Sequence, residues 1–107
     1  IIEAAARELM EETNMEAELE YRGVYHELTR SKETGEILED KIMHIVYGSH
    51  PTDTMKDAFD GGRNNWLTTG EILAKKKAYK SMSIEIDIGL GKESFIETEQ
   101  IYDSEEF

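Results

Sequence analysis

The sequence predicts an α/β fold, in the broad sense that includes α+β: a sheet flanked by helices. Three observations carry that expectation. Residues 1–13 combine helix-forming composition with an apolar stripe. Residues 17–28 and 37–48 are rich in strand formers and separated by a polar turn. A loop dense in turn residues then leads to apolar segments at helical spacing. The length of 107 residues allows one small domain.

In the first element, Ala4, Ala5 and Ala6 are strong helix formers. Ile1, Ala5 and Leu9, with Ile2 and Ala6 beside them, form a stripe that can bury against a sheet. In the second, Leu19, Tyr21, Val24, Tyr25 and Leu28 populate a strand over 17–28. Gly23 breaks its alternation, as a bulge does. The third, 37–48, carries Ile42, Met43, Ile45, Val46 and Tyr47, a density that predicts burial on both faces. Residues 29–36, with Thr34-Gly35, form the hairpin loop between them.

Residues 49–65 read as a loop, because Pro51, Gly61, Gly62 and Asn64-Asn65 are turn chemistry. Trp66-Leu67 restores apolar character and predicts a short strand. Thr68 and Glu71 have capping-box spacing, and Ile72, Leu73 and Tyr79 follow at helical intervals. Residues 80–96 suit either period: Ile84, Ile86, Ile88 and Leu90 alternate, while Met82, Ile86 and Leu90 repeat every fourth position. Gly91 can terminate a helix there. From Glu97 onward the chain reads as an acidic, mobile tail.

The composition bounds the function. Apolar residues make up 38%, enough for a modest core. The absence of cysteine excludes disulfides, cysteine-ligated zinc and thiol catalysis, and is compatible with a cytoplasmic location. No apolar run approaches the roughly 20 residues that span a bilayer. The net charge of −12 argues against a nucleic-acid polymer, whose phosphates demand a basic surface. A small nucleotide remains open, because a divalent ion can stand between carboxylates and a diphosphate.

The segment that concentrates chemistry is Arg7-Glu8-Leu9-Met10-Glu11-Glu12-Thr13-Asn14-Met15. Spacings of three and four place Glu8 with Glu11 and Glu8 with Glu12 on neighbouring sites of one helix face. Like charges so placed repel, and a hard cation relieves the repulsion. Oxygen-only ligation points to Mg²⁺, Mn²⁺ or Ca²⁺ rather than zinc. A solvated acidic helix face is the plain alternative.

This run resembles the Nudix box, G-x5-E-x7-R-E-U-x-E-E-x-G-U, where U is aliphatic. Arg7-Glu8-Leu9 and Glu11-Glu12 match its core. Asn14 stands where the pattern has glycine, a mild change, since Asn also accepts a left-handed helix end. Met15 replaces the last aliphatic residue. The pattern's first glutamate and leading glycine would fall before Ile1. The chain is therefore expected to be a single partial Nudix domain, N-terminally truncated by processing or proteolysis and low in activity alone.

The resemblance implies a mixed sheet flanked by helices, and it favours a closing helix over 80–96. It implies hydrolysis of the pyrophosphate bond of a nucleoside diphosphate linked to another group, with Mg²⁺ or Mn²⁺. Carried over, Glu8, Glu11 and Glu12 are the metal ligands, one of them or a later acid is the general base, and Arg7 holds the glutamates by ion pairing. Asp57 and Asp60 lie in the loop that supplies such a later acid in some Nudix enzymes, although turn formation explains both. A non-catalytic nucleotide- or protein-binding module is the alternative function. Nucleoside triphosphates, ADP-ribose-like compounds and nucleotide sugars all remain open as substrates.

Other constellations fail. His26, His44 and His50 lack metal-ligand spacing, and His44 reads as a hydrogen-bonded core residue. Lys75-Lys76-Lys77 reads as a solvated helix face. Asp53, Asp57 and Asp60 do not match a calcium loop, and neither Gly61-Gly62 nor Gly89-Leu90-Gly91 makes a phosphate loop. No membrane partner is expected. An unpaired sheet edge and a bare apolar face would favour a homodimer or pairing with a preceding segment.

Overall fold

A computed structural model describes residues 1–52, 54–75 and 81–102. Helix α1 spans Ile2–Thr13, and strands β1 (Glu16–Ser31) and β2 (Ile37–Thr52) follow. A small hairpin of β3 (Ala58–Phe59) and β4 (Gly62–Arg63) precedes α2 (Thr69–Leu73), α3 (Met82–Gly89) and β5 (Phe95–Tyr102). The main sheet has the order β2-β1-β5. β1 pairs antiparallel with β2 and parallel with β5, so the sheet is mixed.

The two long strands explain the molecule's proportions. A strand of 16 residues extends about 50 Å, and the longest dimension of the molecule is 50 Å. The radius of gyration is 15.9 Å, against about 13 Å for a compact chain of this length. The core is correspondingly thin. Among the described residues the buried apolar side chains are Met15, Tyr25 and Ile88, with Thr29 and Ser31 buried beside them. The Tyr25 hydroxyl meets the Thr98 hydroxyl at 2.8 Å, which gives its polar end a partner inside the sheet.

The helices lie on opposite faces. Leu19 opposes Gly48 and Tyr21 opposes Val46, so these side chains share the face that α1 covers. A bulge between Tyr21 and Gly23 resets the alternation, as its sequence position predicts. Gly23 then opposes Ile45 on the other face, where α3 packs and Gly89 approaches Ile45. Gly23 is required here. Its φ is +155°, and a Cβ would stand 2.1 Å from the Ser94 carbonyl oxygen. The same carbonyl accepts the Val24 amide at 3.1 Å and starts the β1–β5 ladder.

Several sequence expectations need correction. The residues from Glu97 do not begin a mobile tail: Phe95–Tyr102 is a strand. Glu97 and Glu99 are compatible with it because each faces a cation of β1. His26 Nδ1 lies 2.8 Å from Glu97 and Arg30 Nε donates to Glu99 at 2.7 Å. β5 also prolongs β1, so the predicted hairpin loop over 29–36 shrinks: Thr29 and Ser31 are ladder residues opposite Gln100 and Tyr102. β2 is not buried on both faces. It is an edge strand with no buried residue, and Ile42 is 65% exposed. The face shared by Ile42 and Phe95 is uncovered at both residues.

The predicted loop over 49–65 is partly ordered, since β2 continues to Thr52 and β3 pairs with β4. Pro51 is tolerated because β2 is an edge. Trp66-Leu67 forms no strand, and Trp66 is 69% exposed. No described strand pairs with it, and the Thr68–Glu71 capping box, which is present as predicted, starts α2 immediately afterwards. Within 80–96 the helical reading holds for Met82–Gly89, and Gly91 ends it at φ +81°. Asp53, Lys76, Lys77, Tyr79 and the rest of the expected tail, 103–107, lie outside the described residues.

Two outcomes test this architecture. Gly23→Ala forces the carbonyl of Ser94 away and is expected to destabilise the fold by at least about 2 kcal/mol, read by chemical denaturation. His26 contacts Glu97 through Nδ1 and Asp40 through Nε2, the latter at 2.5 Å. Only the imidazolium has two N–H donors for two carboxylates. The hydrogen bonds to Glu97 first, and to Asp40, raise its pKa above the ordinary value of 6.5. The stabilisation is therefore complete below pH 6.5 and lost as pH rises through the raised value. Protection of the β5 amides, relative to their intrinsic base-catalysed exchange, should fall over that upper range, and His26→Gln should abolish the fall.

Candidate functional site

The carboxylate-bearing helix is built locally. α1 ends where Asn14 adopts φ 61° and ψ 26°, and the Asn14 amide donates to Met10 O at 2.9 Å. This is the left-handed cap expected at the position where the Nudix box has glycine. Thr13 Oγ1 donates to Leu9 O at 2.5 Å and accepts the Met15 amide at 3.2 Å. Met15, buried, then fixes the entry into β1.

Glu8, Glu11 and Glu12 are all exposed on this helix. Arg7 Nε lies 3.8 Å from Glu11 Oε1, an i,i+4 pair with both side chains mostly in solvent. A pair so exposed contributes well under about 1 kcal/mol. Beneath it, a cavity of about 440 Å³ separates α1 from the start of β1, lined by Arg7, Leu9, Met10, Glu16 and Leu19 among others.

The donor chemistry fits a hard divalent ion, because carboxylate oxygens are what Mg²⁺ and Mn²⁺ prefer. The three glutamates form a row rather than a cage. Among the described residues, no three His, Cys, Asp or Glu side chains are arranged to hold a metal. Asp57 and Asp60 adjoin the β3–β4 hairpin, which lies against α1. Asp57 serves the turn there, accepting the Asn64 amide through its carbonyl at 2.9 Å.

Four further titratable groups have structural partners. His44 hydrogen-bonds Tyr21 at 2.8 Å as expected, yet it is exposed rather than part of the core. His50 pairs with Glu18 at 3.1 Å. Burial on α3 pushes the Glu85 carboxyl up, against a lowering hydrogen bond from Ser81. The Thr68 amide donates to Glu71 and lowers its pKa, as the capping box requires. Sequence reasoning missed His26, whose partners come from two other strands, and Asn64, whose amide reaches the carbonyl of Glu12 at 2.6 Å.

Comparison with protein-family models finds no match, and no curated protein matches the chain. Among solved structures, the chain is similar to one described as the mMutator MutT protein from Bacillus halodurans. The TM-score is 0.75 at 19% identity, covering 98% of this chain and 67% of that one. The fold is Nudix-like. The sheet of this chain is mixed and flanked by helices, as the resemblance implies. No described helix is long and apolar enough to cross a membrane.

The cap at Asn14 gives a direct test. Asn14→Gly should keep or raise the melting temperature. Asn14→Ala should destabilise the chain by about 1 kcal/mol, the cost of a left-handed conformation with a Cβ and no compensating polar group. Thermal unfolding of the two variants decides it.

Proposed function

We propose that this chain carries the glutamate helix of a Nudix hydrolase that cleaves the phosphoanhydride bond of a nucleoside diphosphate linked to another group. The observation that carries the reading is the coincidence of two independent signs. The R-E-U-x-E-E core lies at residues 7–12, and the fold around it resembles a MutT protein along 98% of the chain. In the reaction, water attacks phosphorus and the bond to the bridging oxygen breaks, leaving two phosphate products.

Glu8, Glu11 and Glu12 would supply carboxylates to Mg²⁺ or Mn²⁺, and such an ion neutralises phosphate oxygens and acidifies water. A row of carboxylates is compatible with Mg²⁺, which takes one or two from the protein and completes its shell with waters and substrate phosphates. Arg7, through its contact with Glu11, restrains that carboxylate rather than meeting substrate. The substrate is small: the net charge of −12 repels a polyanion, and a divalent ion would offset it locally for a short phosphate chain. Among the described residues no three such ligands are gathered, and the second reading is a nucleotide- or protein-binding module without turnover.

Two measurements separate these. Mn²⁺ added to the chain should enhance water-proton relaxation, and Glu11→Gln with Glu12→Gln should remove most of the effect. Hydrolysis of a panel of nucleoside triphosphates, ADP-ribose-type compounds and nucleotide sugars should show a product in Mg²⁺, slowly with this chain alone. The same substitutions should lower kcat/KM by about 10² or more, the scale for losing one electrostatic group at a reacting centre. Nucleotide binding without product would favour the binding module, and relaxation indifferent to the substitutions would remove the metal role.

A further inference from the structure

A helix leaves its last carbonyls without partners inside the helix, and water or a local turn ordinarily takes them. α1 departs from this. Leu9 O and Met10 O are satisfied locally, by Thr13 Oγ1 and the Asn14 amide. The next three carbonyls are taken by a segment more than 40 residues further along the chain. Lys56 Nζ donates to Glu11 O, Asn64 Nδ2 to Glu12 O at 2.6 Å, and the Lys56 amide to Thr13 O at 3.0 Å.

We propose that Asn64 and Lys56 are positioning residues that clamp the last turn of α1 and so set the direction of Glu11 and Glu12. The proposal rests on the reading of α1 as the site helix. The side-chain amide of Asn64 has two hydrogens, and both are used: one on Glu12 O, one on Lys56 O at 3.0 Å. Two carbonyl acceptors fix which end of the amide faces them, because the amide oxygen would repel both. Asn64 is itself held, its backbone amide donating to Asp57 O at 2.9 Å. The result is a closed circuit through Thr13, Lys56, Asp57, Asn64 and Glu12.

The points gripped are the main-chain carbonyls of the two glutamates themselves. A rotation of the β3–β4 hairpin is therefore transmitted to the backbone that aims their carboxylates. The clamp also has an electrostatic part. The C-terminal end of a helix carries partial negative charge, which disfavours carboxylates in the last turn. The Lys56 ammonium sits at that end and offsets the crowding, without occupying a carboxylate that a cation could use.

The test uses the whole chain and four variants. Asn64→Ala and Asn64→Asp remove the donor, Lys56→Met removes only the ammonium, and Asn65→Ala is the neighbouring control. Amide exchange in residues 11–15 should accelerate about three- to tenfold in the Asn64 variants and less in Lys56→Met. Side-chain couplings of Glu11 and Glu12 should show redistributed rotamers while Glu8 stays unchanged. With Mn²⁺ as probe, line broadening at these glutamates should weaken by a similar factor. Exchange and couplings indistinguishable from Asn65→Ala would overturn the clamp, as would broadening that weakens equally in the control. A clamp response without Mn²⁺ broadening in the unaltered chain would remove the metal reading and leave the clamp standing. If Asn64→Ala does not fold, Lys56→Met carries the same readouts.

Discussion

The central strand is the constraint on which everything else depends. β1 is the only strand of the main sheet with neighbours on both sides among the described residues. Its ladder to β2 runs antiparallel along nearly its full length, and its ladder to β5 begins only at Val24. That beginning is permitted by a missing atom, the Cβ of Gly23, which leaves room for the Ser94 carbonyl. Once β5 is seated, Tyr25 is enclosed and finds Thr98, and α3 has a surface to cover. A core of so few buried side chains has little spare hydrophobic stabilisation, so hydrogen-bonded pairing across β1 carries an unusual share of the structure.

The electrostatics follow the same geometry. An excess of acid is normally dispersed in solvent, but here several acids are placed opposite the few cations of β1. His26 and Arg30 meet Glu97 and Glu99 along β5. Arg22 lies over the Tyr47 ring, 4.4 Å from its centroid, on β2. The acids of α1 are placed differently. Arg7 restrains Glu11 only loosely, and the remaining carboxylates face water. That contrast separates acids paired across the sheet from acids left in solvent on α1.

What was legible in the sequence is what is determined locally. Helix α1, its left-handed end at Asn14, the bulge at Gly23, the Thr68–Glu71 cap and the stop at Gly91 each depend on residues a few positions apart. β5 was illegible because its two glutamates look like solvated charge until their partners, about 70 positions earlier, are known. The exposure of β2 was hidden for a related reason: an apolar run shows what a strand can bury, not whether anything covers it. In the site, the type and spacing of Glu8, Glu11 and Glu12 were readable. The contacts of Asn64 were not, since its partners are main-chain carbonyls that any sequence would provide.

The late start of the β5 ladder has one more mechanical result. Among the described residues the sheet is a two-stranded ribbon below Val24 and a three-stranded slab above it. Two-stranded ribbons coil more strongly and flex more readily than wider sheets. α1 rides on the ribbon half, beside Ala17 and Leu19. The glutamate helix is thus mounted on the narrower, more readily twisted end of the sheet, away from the wider part that α3 covers.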